Sequence, residues 1–425
     1  MQRSSATRTL SRSHTRSIHT SRKYKKYTLS VIVSLSLIVM GITLTLFVQS
    51  RQNAYSQNTP AATAYLYYVL KDAQGFVLAR AFKGANGQPL GTPQQLARFG
   101  DEFGQVESDS IATMQLSPDG RYLAIDGIRD HGEQVWVYDT QHNTLMLQPS
   151  AVMGNFLHWL AGGNGHTFLY RPMLPLGPQA PLDGGIWNPG LWLIDAATGI
   201  HRNIDIHIPS AFLVDAASSP DGSRIIYSTS TGLGMGSDVW LMQSNGTQIT
   251  HLFTSNTQAV IGLFGWSPNG KQIAYEELAN SEIPFLPAKL WVMNSQGGQQ
   301  HLLASVDGGH GYAPVWSPDS SKIAFVARTN VTDAQANQLA QSLQCAIGVV
   351  NVQNGQTWQI ASSQQTGMQM NINPVWAASS ASITFTALNP INQVTGGSPR
   401  YWQANIAQTS IRPISPMLSH IVAIG

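Results

Sequence analysis

The pattern that organises this chain is clearest between residues 263 and 275, Leu-Phe-Gly-Trp-Ser-Pro-Asn-Gly-Lys-Gln-Ile-Ala-Tyr. Apolar positions lead into the polar group Ser267-Pro268-Asn269-Gly270, after which a mostly apolar extended pattern resumes. This predicts two antiparallel strands joined by a tight turn. Proline sets φ near about −65° at the second turn position, Asn tolerates the following bridge region, and Gly accepts φ > 0. The same pattern recurs at Leu116-Ser117-Pro118-Asp119-Gly120, Ser218-Ser219-Pro220-Asp221-Gly222 and Trp316-Ser317-Pro318-Asp319-Ser320. Two degenerate copies, beginning at Trp159 and Trp376, keep the tryptophan and lose the turn residues.

Each copy continues into a second pair of runs, of which the third strand is the more regular. It reads Val135-Trp136-Val137-Tyr138-Asp139, Leu191-Trp192-Leu193-Ile194-Asp195, Val239-Trp240-Leu241-Met242, Leu290-Trp291-Val292-Met293-Asn294 and Ile347-Gly348-Val349-Val350-Asn351, with a weaker Tyr401-Trp402-Gln403-Ala404-Asn405. A Gly-containing turn at Gly199, Gly246, Gly297 or Gly355 then leads most of these into a short fourth strand. Copies stand about 43 to 60 residues apart, the period of a four-stranded propeller blade with loop insertions. A blade that is apolar on both faces is stable only against neighbours in a ring.

These residues resemble the TolB-like β-propeller family, with its Pro-Asp variant of the WD-type repeat, over roughly 113 to 407. The resemblance implies an all-β propeller and leaves function open, because this fold serves as scaffold, ligand binder and enzyme domain alike. Before residue 113, Tyr65-Leu66-Tyr67-Tyr68-Val69, the run 76–82 and the run 95–99 read as second, third and fourth strands without a first. The apolar run 418–424 is able to supply it, so seven blades closed by an N/C-terminal clasp are expected, with six as the alternative.

The first 64 residues have a different character. Residues 1–27 carry eight Lys and Arg and no acidic residue, and read as a basic cytoplasmic tail. Thr28 to Val48 is uncharged, long enough at about 1.5 Å per residue to cross roughly 30 Å of hydrocarbon. It predicts a transmembrane helix with the N-terminus cytoplasmic, a flexible stalk over 49–63, and a propeller over 64–425 outside the cytoplasm. A cleaved signal peptide, whose apolar core usually runs about 7–15 residues, and an organelle transit peptide are the competing readings.

Removing the leader's eight basic residues from the 24 Lys and Arg leaves 16 against 22 acidic residues. The exported part is therefore acidic, and nucleic acid is not an expected partner. The lone Cys345 excludes an intramolecular disulfide and reads as a buried small hydrophobe.

Function is sought in the insertions, which lie between the second and third strands at 171–190, 277–288, 328–344 and 388–399. In a meandering blade these share a face with the blade-to-blade connections. Two are apolar and Pro-rich: Met173, Leu174 and Leu176 with Trp187, and Ile283, Phe285 and Leu286. They either fold over the blade tops or form a patch that docks a protein or peptide, or a glycan. The third, from Thr332 to Leu343, lacks Gly and Pro and predicts a short helix with Leu339 and Leu343 on one side. His310 and Tyr312, in Asp307-Gly308-Gly309-His310-Gly311-Tyr312, complete the candidate ligand residues, since glycines permit close approach.

The tryptophans at repeat positions read as packing between blades. No Gly-x-Ser-x-Gly, His-Glu-x-x-His, P-loop, EF-hand or paired-Cys signature occurs, so neither catalytic residues nor a cofactor or metal are expected. The expectation is a membrane-anchored binding scaffold using its loop-rich face. The alternative is a propeller enzyme, a lyase, hydrolase or cyclase acting on carbohydrate or peptide from polar groups at the channel mouth, with or without a metal.

Overall fold

The repeated turn is closed by its own side chains, which is why the sequence pattern is so strict. Ser117 Oγ donates to Asp119 Oδ1 at 2.5 Å and accepts the Tyr122 amide at 2.9 Å. Asp119 Oδ1 also accepts the Arg121 amide at 3.0 Å, and the Gly120 amide returns to the Ser117 carbonyl at 2.8 Å. The same serine and Asp or Asn bonds recur at Ser219, Ser267 and Ser317. Where Ala377 replaces the serine, the two backbone bonds persist, from Ala377 to Ser382 and from Ser380 to Ala377. The side chains therefore reinforce a turn that the backbone makes by itself.

The structure, a computed structural model, describes residues 65–83, 89–99, 113–129, 132–148, 154–162, 164–172, 190–204, 206, 212–231, 235–255, 258–279, 283, 285–308, 312–339, 342–389, 400–408, 410–414 and 421–424. The expected tail, transmembrane helix and stalk lie outside these residues. Among the described residues no helix is long and apolar enough to cross a membrane.

These residues form seven antiparallel four-stranded sheets. Six are consecutive repeats, over 113–147, 154–204, 212–254, 260–306, 315–361 and 370–413, here blades 2 to 7. Blade 1 is composite. Ile421–Ile424 forms its innermost strand, paired antiparallel with Tyr65–Asp72 in the register Tyr68 to Ile424, followed outward by Gly75–Lys83 and Pro89–Arg98. The clasp exists as expected, and the blade count is seven.

The cores lie between blades rather than within them, because strand alternation sends successive side chains to opposite neighbours. In blade 1, Tyr67 and Val69 pack with Met114, Leu123 and Trp136 of blade 2. Leu66 and Tyr68 pack with Tyr401 and Ile414 of blade 7. Five further clusters fill the remaining interfaces. Every interface is thus apolar, and the ring closes through the composite blade.

A tryptophan stitches successive blades at one repeated place. The indole N–H groups of Trp159, Trp266, Trp316 and Trp376 donate to the carbonyls of Gln115, Ala217, Gly265 and Val315, at 3.0, 3.3, 2.8 and 2.9 Å. Each acceptor belongs to the innermost strand of the preceding blade. Ser218, standing where four other repeats carry tryptophan, uses its hydroxyl on the Trp159 carbonyl at 3.0 Å.

Two substitutions test this account. In Trp316→Phe the ring stays aromatic but the Gly265 carbonyl loses this donor, and we expect a loss of about 1–3 kcal/mol in chemical denaturation. Gly222, at φ 69°, sits where a Cβ would run into the Ala161 carbonyl of the preceding blade. Gly222→Ala should cost about 2 kcal/mol or more, visible as a lowered Tm.

Candidate functional site

Strand direction alternates in each blade, so the first-to-second and third-to-fourth strand turns share one end, the turn face. The insertions and blade-to-blade connections share the other, the loop face. Of the candidate residues, Met173, Leu174, Leu176, Trp187 and His310 lie outside the described residues. Ile283 is 37 % exposed, Phe285 and Leu286 are half-buried, and Tyr312 is buried in the apolar cluster of blades 6 and 7. Tyr312 therefore belongs to packing rather than to an accessible surface. Phe285 packs against the same cluster although it comes from blade 5.

Two insertions are knitted together by one buried guanidinium. Arg328 donates through Nη1 to the Phe285 carbonyl and through Nη2 to Asn337 Oδ1 at 2.8 Å, while the Phe285 amide donates to the Asn337 carbonyl at 3.2 Å. The blade 6 insertion is closed at its base by Asn330, which donates to the Ser342 carbonyl and accepts the Gln344 amide at 3.0 Å. Its described part is a run of turns and not the expected helix. Asp333 Oδ1 accepts the Gln335 and Ala336 amides as a helix N-cap does, and the Asn337 and Leu339 amides follow with helical bonds to Asp333 and Gln335, so a single turn starts here. Leu343 is buried, whereas Leu339 points outward.

Four apolar side chains stand exposed on the insertions of blades 4, 5 and 6, the last two of which this bracing joins. Met235 of blade 4 is 64 % exposed, and Val331 and Leu339 of blade 6 are 46 % and 39 % exposed, beside Ile283 of blade 5. They form an arc over three blades of the loop face.

Below the rim runs a feature visible only once the blades are aligned. At one repeat position of the second strand, three residues after its first apolar position, stand Asp126, Arg171, Ser228, Glu276 and Thr386, with Val326 in blade 6. Two of them bond to the innermost strand of the next blade. Arg171 donates to the Val214 carbonyl at 3.0 Å and to Asn155 Oδ1 at 2.8 Å, and Ser228 donates to the Ile261 carbonyl at 2.6 Å.

Glu276 differs. In blade 6 the innermost strand is described only at Val315–Trp316. Glu276 is 1 % exposed and its Oε2 has no hydrogen-bond partner among the described residues. Burial pushes its carboxyl well above the usual range, and the neighbouring Asp307 adds to the shift. Burial likewise raises the Cys345 thiol, with Asp307 raising it further and Arg328 opposing.

The described histidines do not converge. His251 pairs with Asp238 at 3.0 Å on the outer part of blade 4, His301 lies against the Gln299 carbonyl, and His166 sits on the turn face beside Asp119 at 2.9 Å. Among the described residues no three His, Cys, Asp or Glu side chains come together as a metal site.

No protein-family model and no curated protein matches the sequence. Among solved structures the chain is similar to an oligogalacturonate lyase in complex with manganese, 14 % identical over 85 % of this chain and 89 % of that one, with a TM-score of 0.53. The oligogalacturonate lyase of Vibrio parahaemolyticus is 12 % identical over 86 % and 90 %, with a TM-score of 0.54. TolB from Acinetobacter baumannii matches more loosely, 13 % identical over 69 % and 62 %, with a TM-score of 0.43. At these identities the likeness is one of fold, a propeller shared by enzymes and other proteins alike.

The buried carboxyl sets a pH dependence. Because the folded form of Glu276 holds its proton above the unfolded pKa, the stability it contributes is present at acid pH and is lost as pH rises through the folded pKa. Glu276→Gln should leave stability near pH 4 unchanged and raise it relative to the parent at pH 8 to 9. Urea denaturation of both proteins at the two pH values checks the sign.

Proposed function

We propose that this protein is a membrane-tethered propeller that binds a protein or peptide partner on its loop face, outside the cytoplasm. The observation that carries the reading is the braced rim. Arg328 fixes two insertions to each other, and the rim exposes Met235, Ile283, Val331 and Leu339 instead of folding them inward. Apolar side chains held outward on a rigid support are what a docking surface needs, since little freedom is lost on binding. The tether is residues 28–48, with the basic leader on the cytoplasmic side.

A second reading is favoured by the fold shared with the oligogalacturonate lyases and by the buried Glu276, whose carboxyl is pushed above the usual range by burial and by Asp307. It is an enzyme acting on a carbohydrate or peptide from the channel mouth.

Capture from native membrane extract by the full-length protein, beside its Ile283→Ser/Leu339→Ser variant, tests the first reading. We expect a partner held by the parent and lost by the variant. Turnover of oligogalacturonate, with or without added manganese, that disappears in Glu276→Gln would replace binding by catalysis.

A further inference from the structure

We propose that the loop-face arc docks an amphipathic protein segment carrying Lys or Arg beside its apolar residues. This rests on the binding-module reading and adds the chemistry of the partner. The first support is the pairing of apolar and acidic side chains along the arc. Asp238 follows Met235 in blade 4 with its carboxylate 41 % exposed, and Asp333 follows Val331 in blade 6 on the surface. Asp333 is engaged by the Gln335 and Ala336 amides and by Asn330, all neutral donors. Asp238 is met by His251 and by the Thr254 hydroxyl.

Cations are scarce on the same rim. Lys289 is matched by Glu277 at 3.0 Å, and Arg328 is buried in its bracing role. The described rim therefore combines exposed apolar groups with two carboxylates, Asp238, which is shared with His251, and Asp333, which is met only by neutral donors. An acidic segment would meet like charge there, and a basic one opposite charge.

The second support is where the chain enters the ring. Tyr65 begins the second strand of blade 1, and in every other blade that strand starts at the turn face. Residue 65 thus lies at the face opposite the arc, and the carboxylates of the arc themselves disfavour an anionic bilayer as the occupant. A second copy is disfavoured too, since it would bring the same carboxylates against themselves. A basic partner segment satisfies both constraints.

The probes are fluorescein-labelled amphipathic peptides of Leu and Lys, and of Leu and Glu, titrated by anisotropy into the full chain in neutral detergent. We expect the Leu/Lys peptide to bind, and the Leu/Glu peptide to bind at least about tenfold more weakly. Ile283→Ser/Leu339→Ser should weaken Leu/Lys binding by about tenfold. Asp238→Asn/Asp333→Asn should weaken it about threefold or more and flatten its dependence on salt, with an unchanged Tm in both variants. Equal binding of the two peptides, or Leu/Lys binding that ignores all four substitutions, overturns the proposal. Displacement of the peptide by anionic phosphatidylglycerol vesicles, dependent on the same four side chains, overturns it in favour of lipid. If the extract experiment yields a rim-dependent partner while the Leu/Lys peptide does not bind, the partner chemistry falls and the binding-module reading stands.

Discussion

A four-stranded sheet that is apolar on both faces cannot exist alone in water, and the whole molecule follows from that constraint. Burial between blades provides the driving force, at about 25 cal/mol per Å² of apolar surface, but it is not directional. Direction comes from the indole bonds. Trp266, Trp316 and Trp376 each fill the interface with a ring and aim one N–H at a carbonyl of the preceding blade, so a blade is held at one depth and one angle. A chain of such contacts must end somewhere. The composite blade removes the end, with Leu66 and Tyr68 facing blade 7 while Tyr67 and Val69 face blade 2.

Much of this was legible in the sequence because the repeat samples one local solution many times. Ser-Pro-Asp-Gly is a self-contained turn, so its residues announce it without reference to distant contacts. The clasp was legible for another reason: strands 65–72, 75–83 and 89–98 lack a first strand, and only the C-terminal run could supply one. The insertion at 332–343 was not legible. Its composition permits a helix and Asp333 caps one turn, but Asn330 closes the loop on Ser342 and Gln344 while Asn337 is held by Arg328. Local propensity lost to side-chain chemistry whose partner lies in the same loop and the next blade.

The polar position repeated on the second strand was hidden differently. A single Asp, Ser or Glu inside an apolar strand carries little signal, and Asp126, Ser228 and Glu276 share no residue type. The signal that would have found them is the repeat register, counted forward from the turn. Aromatic residues in loops misled in the opposite sense. Tyr312 stands beside glycines and looks available to a ligand, yet it is buried in the apolar cluster of blades 6 and 7, and Gly308 packs where a Cβ would meet the Leu286 carbonyl. Tight glycine packing closes a loop as readily as it opens one.

The magnitude of the loop-face arc limits what it can do. Fully burying a large apolar side chain contributes about 1.5–3 kcal/mol, and these four are between a third and two thirds exposed, so covering them yields about 3–6 kcal/mol. Association itself costs at least about 4 kcal/mol in lost translation and rotation. The apolar contribution alone therefore gives at best a very weak complex. Bracing by Arg328 limits the further loss from ordering the loops, and the neighbouring carboxylates of Asp238 and Asp333 supply the discrimination that four small contacts lack. A face built in this way suits rapid, salt-sensitive exchange of partners. A permanent assembly would require an apolar area well beyond the arc, because electrostatic steering raises the rate of encounter far more than it slows release.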